Sequence, residues 1–241
     1  ASSFAMFISG RAWDQIRNTI AYPRLDVKIV ATHAGVTVGE DGATHQALED
    51  IAIMRPIPQL RVLVPADAIE AAQMVHVMAK EPGPFYMRMS RGATPLIYAD
   101  TDYQFQLGKS RTMREGRDLT IIACGIMLDI ALKAADVLSD ENVYVRVINL
   151  SSIKPIDSAV LIKAAHETGA IVTAEEHSVI GGMGSAVAEV IVKQAPVPMD
   201  MLGVEGVFGE SGKPDDLLEK HNLTVRGLIT KVKGVLARKL A

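Results

Sequence analysis

Apolar residues along the chain follow two alternating rhythms: short unbroken runs, and stretches with an apolar residue at every third or fourth position. The short runs predict strands at 27–31, 61–64, 85–88, 119–123, 143–148, 170–174 and 199–204. The periodic stretches between them predict helices. Phe4, Phe7, Arg11, Trp13, Ile16 and Ile20 keep helical spacing, with Ser2 or Ser3 as cap and Pro23 as stop. Asp67 stands where an N-cap belongs for a helix reaching Lys80. Further helices fall at 44–54, 130–138, 158–168, 183–193 and 224–240. From Ala93 to Gly116 the rhythm fades, which reads as a linker with at most one short strand, near Phe105. Strands and helices in alternation predict an α/β fold of two units, each a mostly parallel sheet covered by helices on both faces.

Composition narrows the function classes. A chain of 241 residues suffices for one large or two ordinary domains with a real core. A net charge of -3 and a pI near 6.1 give no support for nucleic-acid binding. The single cysteine, Cys124, cannot form an internal disulfide, which fits a reducing cytosol. No apolar run reaches membrane-spanning length, since the best, from Ile121 to Leu132, is broken by Asp129. Ala1 is no initiator methionine, no signal-peptide pattern follows it, and the chain opens directly into an apolar segment. That reads as a chain entered in the middle of a domain.

Candidate chemistry concentrates between Thr32 and Gln46, where an apolar run gives way to Gly35, Gly39 and Gly42, His33 and His45, and Glu40 and Asp41. A glycine-rich loop leaving the carboxyl end of a parallel strand is where open α/β sheets place ligands. Two imidazoles and a carboxylate there suit a polyhydroxylated substrate and the movement of its protons. The same loop also reads as a solvated surface turn. A second cluster, Glu175, Glu176 and His177 ahead of Gly181, Gly182 and Gly184, offers carboxylates for acid–base work and glycines for a phosphate. It departs from the dinucleotide fingerprint, and a turn at a domain or subunit contact is its better reading.

Several separated segments carry a resemblance: ASSFAMFISGRAWDQIR, THAGVTVGEDGATHQALED, SRG, VRVINLSSIKPID, VTAEEHSVIGGMG and SGKPDDLL. In this order they resemble the C-terminal half of transketolase, most closely the C-terminal subunit of transketolases encoded as two polypeptides. The resemblance covers essentially the whole chain. It implies the remainder of a pyrimidine-binding domain at 1–98, a linker at 99–116 and a transketolase C-terminal domain at 117–241. It also implies thiamine diphosphate as cofactor and transfer of a two-carbon ketol unit from a ketose phosphate to an aldose phosphate, with a cytoplasmic location.

Residue by residue, the resemblance matches Phe4 and Phe7 to aromatics that pack on the aminopyrimidine ring. It matches His33 to a substrate-phosphate or hydroxyl contact and His45 to a histidine beside the reacting carbon, both catalytic, Asp41 to a sugar-hydroxyl acceptor and Arg91 to a sugar-phosphate ligand. Glu40 belongs to the motif without the catalytic proton. Arg11 follows a span one residue longer than in many single-chain relatives. No residue is matched to a metal ligand: Mg or Ca and the diphosphate are expected on an N-terminal, diphosphate-binding partner subunit or domain. The cofactor-activating glutamate is expected upstream of Ala1, so the chain by itself is expected to be inactive and to work in a homodimer or two-fold heterotetramer. Nucleic acid and membrane are not expected partners. Within the same chemistry the rivals are deoxyxylulose-phosphate synthase and a 2-oxoacid dehydrogenase β subunit. From another class the rival is a non-catalytic assembly or regulatory module of transketolase shape.

Overall fold

A computed structural model of the chain describes residues 1–99 and 102–239. Two linker positions, 100 and 101, and the Leu240 end of the last predicted helix lie outside the described residues.

The first sheet has the order β1-β2-β4-β3-β8: β1 (Ser2–Phe4), β2 (Lys28–Thr32), β4 (Phe85–Arg88), β3 (Arg61–Leu63) and β8 (Ser152–Lys154). Its first four strands are parallel, and β8 closes the edge antiparallel to β3. The second sheet has the order β10-β9-β6-β7-β5: β10 (Met199–Val204), β9 (Ile171–Ser178), β6 (Leu119–Ala123), β7 (Val145–Asn149) and β5 (Arg111–Arg114). Only its β5–β7 pair is antiparallel. All positions of β4 and β6 are buried, as parallel strands covered on both faces require.

The helices follow local chemistry. In α3 (Ala68–Lys80) the Asp67 carboxylate accepts from the Glu70 N–H at 2.8 Å, a cap worth about 1 kcal/mol. Met74 and Met78 put its apolar face into the core. The second unit adds α4 (Met127–Asp140), α5 (Ser158–Thr168), α6 (Met183–Gln194), a short α7 (Pro214–Lys220) and α8 (Val225–Lys239). Both buried apolar clusters draw side chains from both units: one includes Met74 and Phe85 together with Leu119 and Leu228, the other Ile29 and Tyr86 together with Ile148 and Met183.

Three expectations are corrected. Ser2 and Ser3 belong to strand β1 rather than to a cap, because pairing with Val30 and Ala31 takes up their backbone; the helical course, α1, starts after Phe4 and runs through Met6–Arg11, Trp13–Gln15 and Ile16–Ala21. The helix expected over 44–54 is confined to α2 (Asp50–Met54), since the His45 and Gln46 amides turn back onto the Gly42 carbonyl. No strand forms at Phe105. That segment is held by side chains instead, with Gln73 Oε1 accepting from the Phe105 N–H at 2.6 Å, and the strand comes later as β5. The linker is therefore packed: the Tyr98 and Tyr103 rings stack at 3.8 Å, and Tyr103 donates to the buried Glu70 at 2.7 Å.

Candidate active site

The loop from His33 to Gln46 leaves the carboxyl end of β2 and returns to it: the Gly35 N–H donates to the Ala47 carbonyl at 3.0 Å. Between these points Val36–Asp41 winds as tight 3₁₀ turns. Gly35 and Gly42 take φ of +88° and +74°, the left-handed region that only glycine enters without strain. His33 itself sits at φ +57°, which turns its ring back over β1.

That ring stacks on Phe4, with centroids 3.8 Å apart and planes 9° from parallel. Phe7 lies 6.1 Å from Phe4 at 18°, and the His45 ring stands edge-on to both, at 6.2 Å from Phe4 and 5.2 Å from Phe7. Arg11 places its guanidinium 5.0 Å from the Phe7 centroid, a cation–π contact. Each histidine uses Nδ1 on the threonine before it, His33 on Thr32 at 3.0 Å and His45 on Thr44 at 2.9 Å. A hydroxyl both donates and accepts, so it serves either imidazole tautomer.

Arg91 meets the far side of the loop. It donates to the Val38 carbonyl and lies 3.6 Å from Glu40 and 3.8 Å from Asp41. His33 feels both charges: burial and Arg91 hold its pKa below the ordinary imidazole value, and Asp41 pulls against them. The structure thus brings Phe4, Phe7, His33, Asp41, His45 and Arg91 into one cluster, although the Phe4–Phe7 stretch and Arg91 lie far from the loop in sequence.

Glu175, Glu176 and His177 turn inward to the seam between the units and are buried. Glu175 accepts from the Met183 and Gly184 N–H groups at 2.6 and 2.8 Å, placing a carboxylate on the N-terminus of α6. His177 Nε2 accepts from the Ile51 N–H at 3.1 Å, so its ring proton sits on Nδ1 and goes to the Ser178 carbonyl at 2.7 Å. Glu176 accepts from the Thr37 N–H at 2.7 Å.

The centre of this seam escaped the sequence reading. Buried Arg88 donates from Nε to both Asp50 oxygens at 2.9 and 3.0 Å, and from Nη2 to the Glu176 carbonyl at 2.8 Å and the Ala47 carbonyl at 3.3 Å. Tyr86 gives Asp50 a third hydrogen bond at 2.7 Å. Burial opposes the Arg88 charge, but the Asp50 and Glu176 carboxylates outweigh it and hold its pKa up. A charged residue ending the apolar run FYMR, and another inside LEDIAIM, were the available signals.

The partly open aromatic faces of Phe4 and Phe7 suit a flat heterocycle, although His33 already covers one face of Phe4. Among the described residues no group of three or more His, Cys, Asp or Glu side chains could hold a metal ion, and no helix is long and apolar enough to cross a membrane.

The fold and this cluster define a protein of two interlocked, mostly parallel α/β units with an aromatic–imidazole cluster at the carboxyl ends of the first sheet's strands. The transketolase pyrimidine-binding domain family matches residues 1–96 and the transketolase C-terminal domain family residues 108–228. A putative transketolase C-terminal section from Methanocaldococcus jannaschii is 45% identical over 96% of this chain and 73% of its own length. A 6-deoxy-6-sulfo-D-fructose transketolase subunit from a Clostridium species is 40% identical over 98% of this chain and 73% of its own. A solved split-gene transketolase, described as an inactive β4 tetramer, superposes with a TM-score of 0.93 at 48% identity, over 99% of this chain and 76% of that one. The chain belongs to the transketolase family and comprises its pyrimidine-binding and C-terminal parts.

Proposed function

We propose that the chain supplies the substrate-facing half of a transketolase active site, completed by a diphosphate-binding partner subunit. The observation that carries this reading is the continuous packing of Phe4, Phe7, His33 and His45 beside Arg91 and Asp41. Thiamine diphosphate, when bound, supplies the carbon nucleophile that carries the two-carbon unit. Phe4 and Phe7 provide the apolar wall for its pyrimidine ring. Nε2 of His33 and of His45 hydrogen-bonds the sugar hydroxyls and holds or moves the proton released and taken up there. Asp41 accepts from a sugar hydroxyl, and Arg91 turns its planar fork from the loop to the substrate phosphate.

The substrates are a ketose phosphate donor and an aldose phosphate acceptor. The metal, Mg or Ca, belongs to the partner, and the assembly is a two-fold one. The chain by itself is inactive. Relatives carry names for 6-deoxy-6-sulfo-D-fructose and apulose 4-phosphate transketolases, so the sugar pair is the variable that the assay must resolve.

The test mixes the full chain with a transketolase diphosphate-binding subunit, thiamine diphosphate and Mg, and offers xylulose 5-phosphate with ribose 5-phosphate against pyruvate. Ketol transfer is expected with the sugars. Pyruvate consumption without ketol transfer overturns the assignment, and cofactor binding without turnover points to an assembly module instead. Arg91→Ala is expected to weaken use of phosphorylated sugars selectively; equal loss with unphosphorylated acceptors removes its phosphate role.

A further inference from the structure

The loop that carries His33 and His45 closes on itself through the Gly35 N–H bond to the Ala47 carbonyl and the turns at Gly42. The second unit adds fixed points to it from across the seam. At one end the Glu176 carboxylate reaches from β9 to the Thr37 N–H at 2.7 Å. At the other, Gln46 Nε2 donates to the Glu210 carbonyl at 2.9 Å as well as to Val36 and Gly39 within the loop. The fit is close. A Cβ on Gly35 would lie 2.2 Å from the Glu176 carboxyl carbon, and one on Gly42 would lie 2.5 Å from Ser211 Oγ. Arg88 in turn fixes the strand end that carries Glu176, through the Glu176 carbonyl.

A buried carboxylate is an expensive way to hold two domains together, because apolar packing usually does so at least as well. Glu176 is 4% exposed, and its burial pushes its pKa up against the pull of Arg88 and the Thr37 N–H. What an apolar side chain could not supply is an acceptor aimed at one amide of the loop.

We infer that Glu176 is a positioning residue for the reaction: acting through the Thr37 N–H, it sets the course of the loop that stacks the His33 ring on Phe4. This rests on the reading of His33 and His45 as the groups that handle the substrate's protons. The second unit is then part of the active site without touching the substrate. Misplacing a reacting group by about 1 Å costs about a hundredfold in rate, so a strut of this kind acts mainly on kcat.

The test compares Glu176→Asp, Glu176→Gln and Gly35→Ala in the full chain, labelled at histidine Cε1 and studied alone and with the diphosphate-binding subunit. Asp keeps the anion beside Arg88 but withdraws it by about one C–C bond, ~1.5 Å, beyond reach of Thr37. Gln keeps the reach and drops the charge. The His33 Cε1–H resonance, shifted by the Phe4 ring and assigned from its loss in His33→Asn, is the readout. In Glu176→Asp it is expected to move toward the free imidazole position, with kcat down about tenfold or more. In Glu176→Gln both are expected to stay, with kcat within about threefold.

Gly35→Ala pushes the same contact from the loop side and is expected to displace the resonance too, which keeps the test decisive if Glu176→Asp does not fold. An unmoved resonance in a folded Asp or Ala variant overturns the inference, as does equal displacement by Asp and Gln. If the unsubstituted assembly transfers no ketol unit, the functional reading fails, while the resonance still decides what Glu176 does.

Discussion

Arg88→Met tests whether the seam between the units is held by charge in a dry place. The substitution keeps an unbranched side chain of similar length and removes the guanidinium. Asp50, with its side chain fully buried, then retains the Tyr86 hydroxyl but loses its cation, and the Glu176 and Ala47 carbonyls lose a donor. Breaking a buried ion pair from one side costs about 3–5 kcal/mol. With a urea slope of about 2 kcal/mol/M, a loss of about 4 kcal/mol lowers the unfolding midpoint by about 2 M. Trp13, the chain's one tryptophan, donates to the Ile53 carbonyl at 2.8 Å, so its fluorescence reports on α1 against α2. Because both core clusters span both units, fluorescence and far-UV circular dichroism should lose signal together. Arg88→Met with Asp50→Asn should recover part of the loss, since the stranded anion is then gone. A midpoint within about 0.2 M of the parent for Arg88→Met, or a double variant whose losses simply add, refutes the reasoning.

Other outcomes follow from the same geometry. Glu189→Ala removes the partner of Arg55 in an exposed pair and should cost no more than about 1 kcal/mol by urea titration. His33 should titrate below the ordinary imidazole range by NMR, and Arg91→Ala should move it up. Because the folded pKa is the lower one, His33 adds stability fully above the unfolded imidazole pKa, and this is lost as pH falls through the folded value. Arg91→Ala should therefore narrow the pH interval over which it is lost. Gly42→Ala, at φ +74° against Ser211, should lose about 1–3 kcal/mol, whereas Gly92→Ala, with open space around its Cβ, should stay within about 0.5 kcal/mol.

The elements legible in the sequence were those whose signals are local. Three apolar residues, Phe85 to Met87, marked β4 after a turn, Asp67 announced α3, and the runs behind β6 and β10 needed no distant partner to be seen. What stayed hidden depends on pairing across the chain. Phe4 and Phe7 keep helical spacing, yet β2 draws the first of them into a strand. Ser152–Lys154 is a strand only because β3 presents an open edge. The candidate site divides the same way. Its histidines and Asp41 share one stretch of sequence and could be picked out together, while the stacking of His33 on Phe4 is a meeting of two strands' ends. Glu175, Glu176 and His177 read as a turn at a domain or subunit contact; they lie at the contact between the units, but within β9 rather than in a turn. Arg88 and Asp50 gave no local sign that they would find each other.

The last strand of the first sheet, β8, is borrowed from the far side of the linker. Lys154 extends that loan by donating to the Arg55 and Ile57 carbonyls, and the Ser151 carbonyl accepts from the Val64 N–H at 2.8 Å. The sequence boundary between the two family domains is consequently not a mechanical one. A protease that nicks the chain just after Gly92 would leave two fragments still laced through a common sheet, migrating as one particle until denaturant parts them.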